Sequence, residues 1–147
     1  NYREWMDEIR RRIIARFGDT AIGALDEWEA NVGRVDTDML AVLRRVRSRT
    51  TVALLSNGTT RLRRDLHVLD LLDEFDVVFN TAELGIAKPD PEVFTLVCGE
   101  LCAAPGRTLF VDDLAENIAG ARRAGLHAHR HVSVPDTVTF LSTWSVV

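Results

Sequence analysis

Four short strand-like runs, spaced by stretches of helical periodicity, constrain this chain more than any other feature. The first, Thr51-Val52-Ala53-Leu54-Leu55, is almost continuously apolar and β-branched, the pattern of a strand covered on both faces. Further strands are expected at 76–79, 108–111 and 126–129, with helical stretches at about 60–73, 91–103 and 114–124 between them. The order β-α-β-α-β-α-β predicts an α/β fold, a parallel sheet with helices on its faces. Upstream of the first run, Asp36 or Thr37 can cap a helix carrying Met39, Leu40, Val42, Leu43 and Val46. A short helix at about 136–141 closes the pattern.

The first 34 residues read differently. Trp5, Ile9 and Ile13, then Met6, Ile14 and Phe17, recur at helical spacing, and Arg10, Arg11 and Arg12 supply the polar face. Acidic Glu4, Asp7 and Glu8 lie among those arginines, so the face reads as solvated rather than as a membrane or RNA contact. A second short helix is expected at 22–29 and a turn at 31–33. The formal net charge of −4 argues against a nucleic-acid scaffold, whose phosphate contacts need a basic face. No apolar run approaches the roughly 20 residues that span a bilayer, and a cytoplasmic protein is expected. Cys98 and Cys102, the two cysteines, fit reduced thiols on a helix better than a disulfide or zinc site. The first residue is Asn1 rather than Met, and further residues upstream are expected.

Three polar clusters occupy strand-to-helix junctions, where ligands bind in open parallel sheets. Ser56-Asn57-Gly58-Thr59-Thr60 follows the first strand; a hydroxyl and backbone N–H groups at a helix start can cradle a phosphate, although plain helix capping would also explain them. In Lys88-Pro89-Asp90-Pro91-Glu92-Val93-Phe94 the prolines restrict the backbone, Asp90 can cap and Pro91 suits a first helical turn. Lys88 is then held at a defined loop position, where its charge could neutralise a phosphate. Phe110-Val111-Asp112-Asp113 ends an apolar strand in adjacent carboxylates, hard oxygen donors that suit Mg²⁺. Asp113 could instead simply cap the next helix, with Gly125 closing it, but capping leaves Asp112 unexplained.

Taken in order, the clusters resemble the second, third and fourth motifs of the haloacid dehalogenase-like (HAD) superfamily. The resemblance rests on Ser56-Asn57-Gly58 after a hydrophobic strand and on Gly85-Ile86-Ala87-Lys88-Pro89-Asp90-Pro91-Glu92-Val93-Phe94. It rests further on Phe110-Val111-Asp112-Asp113 with Glu116-Asn117-Ile118 and on Gly120-Ala121-Arg122-Arg123-Ala124-Gly125. It implies a Rossmann-like core at 35–147 and, at 1–34, part of a helical cap. It also implies a Mg²⁺-dependent phosphohydrolase acting on small phosphorylated metabolites through an aspartyl-phosphate. By motif position Ser56, Asn57, Gly58 and Lys88 would hold the phosphoryl group, with Lys88 catalytic. Asp113 would bind Mg²⁺ directly and Asp112 through water, and Asn117 would support their loop. Tyr2, Trp5 and Met6 could border the substrate, though packing within the cap explains them as well.

One part of the family pattern does not occur in these residues: the Asp-x-Asp-x-Thr/Val signature that carries the nucleophile. Asp36-Thr37-Asp38 follows no apolar strand. The nucleophile, and the central strand between the runs at 51–55 and 108–111, are therefore expected upstream, and these 147 residues alone are expected to be inactive. A second copy supplying a strand, as a dimer or a swap, is another way to fill that place. The Leu55-Ser56-Asn57-Gly58 stretch is also similar to metal-free 2-haloacid dehalogenases, against which the Asp112–Asp113 pair argues. A non-catalytic binding protein of the same fold and, more weakly, a response-regulator fold are the other readings. His127, His129 and His131 share one strand face and could ligate a metal, but a partly solvated edge strand accounts for them equally.

Overall fold

The computed structural model describes residues 2–147; Asn1, the first residue of the expected cap segment, lies outside the described residues. The chain runs α1 (Tyr2–Phe17), α2 (Ile22–Ala30), α3 (Thr37–Arg47), β1 (Ala53–Ser56), α4 (Leu62–Val68), β2 (Val77–Asn80), α5 (Thr81–Leu84), α6 (Pro91–Glu100), β3 (Leu109–Asp112), α7 (Ala115–Arg123), β4 (His127–Arg130) and α8 (Val134–Ser142). This is the expected α/β alternation. Each strand reaches one residue further along the chain than the apolar run that announced it. Ser56 and Asp112 are consequently the last residues of β1 and β3 rather than the first of their loops.

All observed pairing is parallel, but it forms two ribbons, β1 with β2 and β3 with β4; β1 and β3 are not paired with each other. Burial follows from this. Every residue of β1 and β3 is half-buried, not enclosed as the apolar runs suggested, because each strand has a free edge. The ribbons share a core. Val93, Phe94 and Cys98 of α6 pack with Ile118 and Ala121 of α7, with Leu126 and with Ala128 of β4; Leu55 of β1 and Phe110 of β3 close on the same cluster. Phe94 and Phe110 meet edge to face at 5.0 Å between ring centres.

Helix ends explain the remaining departures. The stretch expected as one helix at 60–73 breaks after Leu69: Asp70 turns left-handed at φ 54°, its N–H reaches the His67 carbonyl, and Leu71 N–H reaches that of Leu66. This is the paired closure usually built on glycine. Cys102 ends α6 in the same way at φ 51°, so it lies exposed beyond the helix while Cys98 is buried within it. Gly125 does the same for α7. Asp36 caps α3 through Asp38 and Met39 N–H, which removes it from consideration as a nucleophile. No helix among the described residues is long and apolar enough to cross a membrane.

The three histidines do line one face, but each ring has its own partner in or beside α8 or the preceding loop. His127 Nε2 lies 3.1 Å from the Gly106 carbonyl with its ring against Trp144; His129 stacks on Phe140 at 4.7 Å; His131 Nδ1 meets Thr137 Oγ1 at 2.7 Å. Together they pack α8 against the outer face of β4.

Candidate active site

Lys88 is where the separate loops meet. Its Nζ lies 2.8 Å from Asp112 Oδ2, with both side chains nearly enclosed at 10% and 8% exposure. The loop that carries it is gripped by Asn57, whose side-chain amide accepts from Lys88 N–H at 3.0 Å and donates to the Lys88 carbonyl at 2.8 Å. Asn57, 31 residues earlier, therefore treats this segment as a strand would, closing a two-bond ring on its backbone. Asp90 caps α6 through Glu92 N–H and Pro91 opens the helix, as the residue types suggest. Behind the loop stands Gly120 of α7. A Cβ there would lie 2.1 Å from the Pro89 carbonyl oxygen, so no larger residue fits while helix and loop stay this close.

Asp112 is held on every side. Its Oδ1 accepts from Leu114 N–H and from Asn117 Nδ2, both at 2.9 Å, and its Oδ2 takes the lysine. Burial acts to raise the Asp112 pKa, but the hydrogen bonds from Lys88, Asn117 and Leu114, with the lysine charge, outweigh it and hold the carboxyl below its usual range. Asn117 is itself buried on the first turn of α7. Asp113 contrasts with its neighbour. Its side chain is exposed and has no hydrogen-bond or ion-pair partner among the described residues, and its carbonyl is engaged by Arg130 Nε at 3.0 Å. Nor does it cap α7: the N-cap position is Leu114, no side chain caps that helix, and the Leu114 N–H is taken by Asp112 Oδ1.

Ser56 ends β1 opposite Asn80 of β2. The 57–61 segment that follows is a loop rather than an immediate helix start. α4 begins only at Leu62, with no side-chain cap, so a helix dipole contributes less to the expected phosphate cradle than the junction suggested. Gly58 is confined: a Cβ would meet Leu62 Cβ at 3.1 Å and Asn80 Oδ1 at 3.4 Å. Asn57 has its side-chain amide committed to Lys88, which leaves its backbone N–H for a ligand.

Sequence reasoning missed Asn80. It is 1% exposed, donates to the Thr59 carbonyl at 2.8 Å, and accepts from Ala82 N–H to cap α5. An Asn directly after an apolar strand and before Thr-Ala-Glu is a capping signal that could have found it. Arg61 was missed as well. It lies under Tyr2, donating to the Tyr2 hydroxyl at 2.6 Å and to the Glu29 carbonyl at 2.8 Å, and so joins α1 and α2 to the loop after β1.

The donor set bears on the metal. Among the described residues no group of three or more His, Cys, Asp or Glu side chains could enclose an ion. Asp113 nevertheless offers an unpartnered hard oxygen donor beside the pinned Asp112. That suits Mg²⁺, which binds one or two carboxylates and keeps water and substrate oxygens for the rest of its shell.

The family model of the haloacid dehalogenase-like hydrolases matches residues 2–125. The chain is 37% identical over 79 residues to a phosphoserine phosphatase of Thermus thermophilus, covering 52% of this chain and 32% of that protein. It is 33% identical over 93 residues to (S)-2-haloacid dehalogenase 1 of a Pseudomonas strain, covering 61% and 41%. A HAD family enzyme of Bacteroides thetaiotaomicron, solved with magnesium and inorganic phosphate, superposes with a TM-score of 0.61 at 26% identity, over 67% of this chain and 53% of that one. The chain spans less than half the length of the curated relatives it matches. With the family model matched over residues 2–125, most of its length, the chain belongs to the haloacid dehalogenase-like hydrolases.

Proposed function

We propose that this site serves a Mg²⁺-dependent phosphohydrolase of small phosphorylated metabolites. The observation that carries the reading is the arrangement at the end of β3: Lys88 Nζ fixed 2.8 Å from a fully hydrogen-bonded Asp112, with the neighbouring Asp113 carboxylate unengaged. A 2-haloacid dehalogenase, to which the chain is also similar, needs no cation and hence no second carboxylate at that place. The phosphatase relatives and the magnesium and phosphate bound by a structural neighbour support the same choice.

In this reading the Ser56 hydroxyl and the Asn57 backbone N–H donate to oxygens of the phosphoryl group. The Lys88 ammonium offsets the charge that grows on those oxygens in the transition state, an electrostatic effect that needs a donor fixed in advance. Asn57 and Asp112 do that fixing, one on the lysine backbone and the other on its ammonium. Asp113 would hold Mg²⁺ directly, while Asp112, whose oxygens are already engaged, would contribute through water; Asn117 keeps Asp112 oriented. When bound, the cation supplies Lewis-acid polarisation and charge neutralisation at the phosphoryl oxygens. The attacking carboxylate belongs, in this proposal, to polypeptide beyond residues 1–147, on a strand seated between β1 and β3, and the 147 residues alone are inactive.

A screen of the whole gene product against small phosphomonoesters, with Mg²⁺ and with EDTA, tests the reading. Hydrolysis that needs Mg²⁺ and is lost in Asp113→Ala is expected. Chloride release from 2-chloropropionate that persists in EDTA would assign the dehalogenase chemistry instead.

A further inference from the structure

Asn80 is buried at 1% exposure, yet the proposed chemistry gives it no role. It ends β2 opposite Ser56 in the parallel ladder, beside the loop that follows β1. Burying an amide is unfavourable unless its polar atoms are paired, and here both are. Nδ2 donates to the Thr59 carbonyl at 2.8 Å, and Oδ1 accepts from Ala82 N–H at 3.1 Å. One end of the side chain therefore holds the phosphate loop. The other starts α5, whose left-handed closure at Gly85 leads on to Lys88.

The bond to Thr59 fixes an orientation as well as a position. In a trans peptide the C=O and N–H point in opposite directions, so a Thr59 carbonyl drawn toward Asn80 turns the Thr60 N–H away from β2. Leu62 N–H meets the same carbonyl at 3.1 Å, and Arg61 N–H takes Thr59 Oγ1 at 3.3 Å. The backbone N–H groups of residues 57–60, by contrast, have no acceptor among the described residues. Successive free N–H groups suit an anion, but only while the carbonyls between them face elsewhere. Asn80 supplies that condition at Thr59.

Resting on the phosphohydrolase reading, we infer that Asn80 is a positioning residue of this site. By holding the Thr59 carbonyl on the β2 side it keeps the 57–60 N–H groups aimed at the phosphoryl oxygens, and it does so without touching substrate. Its two tasks are separable. A serine can still cap α5, because its hydroxyl accepts from a backbone N–H of the first turn, but it is too short to hold Thr59.

Calorimetric titration of the whole gene product, with inorganic phosphate in the presence of Mg²⁺ and with Mg²⁺ alone, tests this. Asn80→Ser is expected to weaken phosphate binding about fivefold to tenfold, the worth of one hydrogen bond, with Mg²⁺ affinity unchanged. Asn80→Ala should weaken phosphate by the same factor while lowering the urea midpoint further, since the cap is lost too. Val42→Ala empties a buried position on α3; it should lower the midpoint and leave phosphate affinity as in the native protein. NMR relaxation of the 57–60 amides without phosphate reads the tether itself, with order parameters of about 0.85 in the native protein and below about 0.6 in Asn80→Ser. Unchanged order parameters, unchanged phosphate affinity in Asn80→Ser, or an equal loss of affinity in Val42→Ala overturns the inference. If the native protein binds no phosphate while the order parameters fall as expected, the tether stands and the phosphohydrolase reading falls.

Discussion

Replacing Lys88 by methionine keeps most of the side-chain stem and removes the ammonium. In the native structure Asp112 takes three hydrogen bonds, one from Lys88 on Oδ2 and two, from Leu114 N and Asn117 Nδ2, on Oδ1. The variant strips Oδ2 of its protein partner and leaves a carboxylate of 8% exposure without a counter-charge. Removing one member of such a pair costs about 3–5 kcal/mol; because Oδ1 stays satisfied, the lower end, about 3 kcal/mol at pH 7, is expected. At about 2–4 °C per kcal/mol for a chain near this size, the melting temperature falls by about 6–12 °C. The pH dependence has a definite sign. The native Asp112 carboxyl is held below its usual range. Its contribution is therefore complete above the unfolded value of about 3.9 and is lost as pH falls through the lower native value. In the variant burial acts without the lysine to oppose it, so the carboxyl takes up a proton at higher pH than in the native chain. Urea denaturation followed by circular dichroism, at pH 7 and stepwise to pH 4, reads both effects. The gap between the chains should narrow towards acid, and Lys88→Met combined with Asp112→Asn should recover most of the loss. A single-variant loss below about 0.5 kcal/mol, or two strictly additive losses, would refute the argument that the pair is a coupled, desolvated unit.

Three further outcomes are expected. Gly120→Ala should cost about 1–3 kcal/mol in urea denaturation and weaken inorganic phosphate binding, since its Cβ collides with the Pro89 backbone and the Lys88 loop must yield. Asn57→Ala removes both hydrogen bonds to the Lys88 backbone, and should lower stability by about 1–3 kcal/mol and phosphate affinity with it; retained phosphate binding at native strength would show that Lys88 is positioned by other means. Asp113→Ala should leave the urea midpoint within about 0.5 kcal/mol of the native chain, because its side chain is exposed and unpartnered, while calorimetry shows Mg²⁺ binding lost.

The features legible from residue order alone are local. The alternation of strand-like and helical stretches marked all four strands to within a residue or two, Asp36 and Asp90 announced the helices they cap, and Pro91 its helix start. Each of these is decided over a few residues, where spacing and side-chain chemistry act directly on the backbone. The left-handed closures at Asp70 and Cys102 were not legible, since neither residue is the glycine that normally signals one. Ser56, Lys88, Asp112 and Asp113 were legible as candidates because they sit at strand-to-helix junctions. Their unequal states were not. Long-range packing is what pins Asp112 and leaves Asp113 open, lets Asn57 grip a backbone 31 residues away, and has Gly120 admit the Pro89 loop. The same holds for Arg61 joining Tyr2 across 59 residues. Such contacts depend on distances between elements that packing sets, and no window of sequence short enough to read by pattern contains both partners.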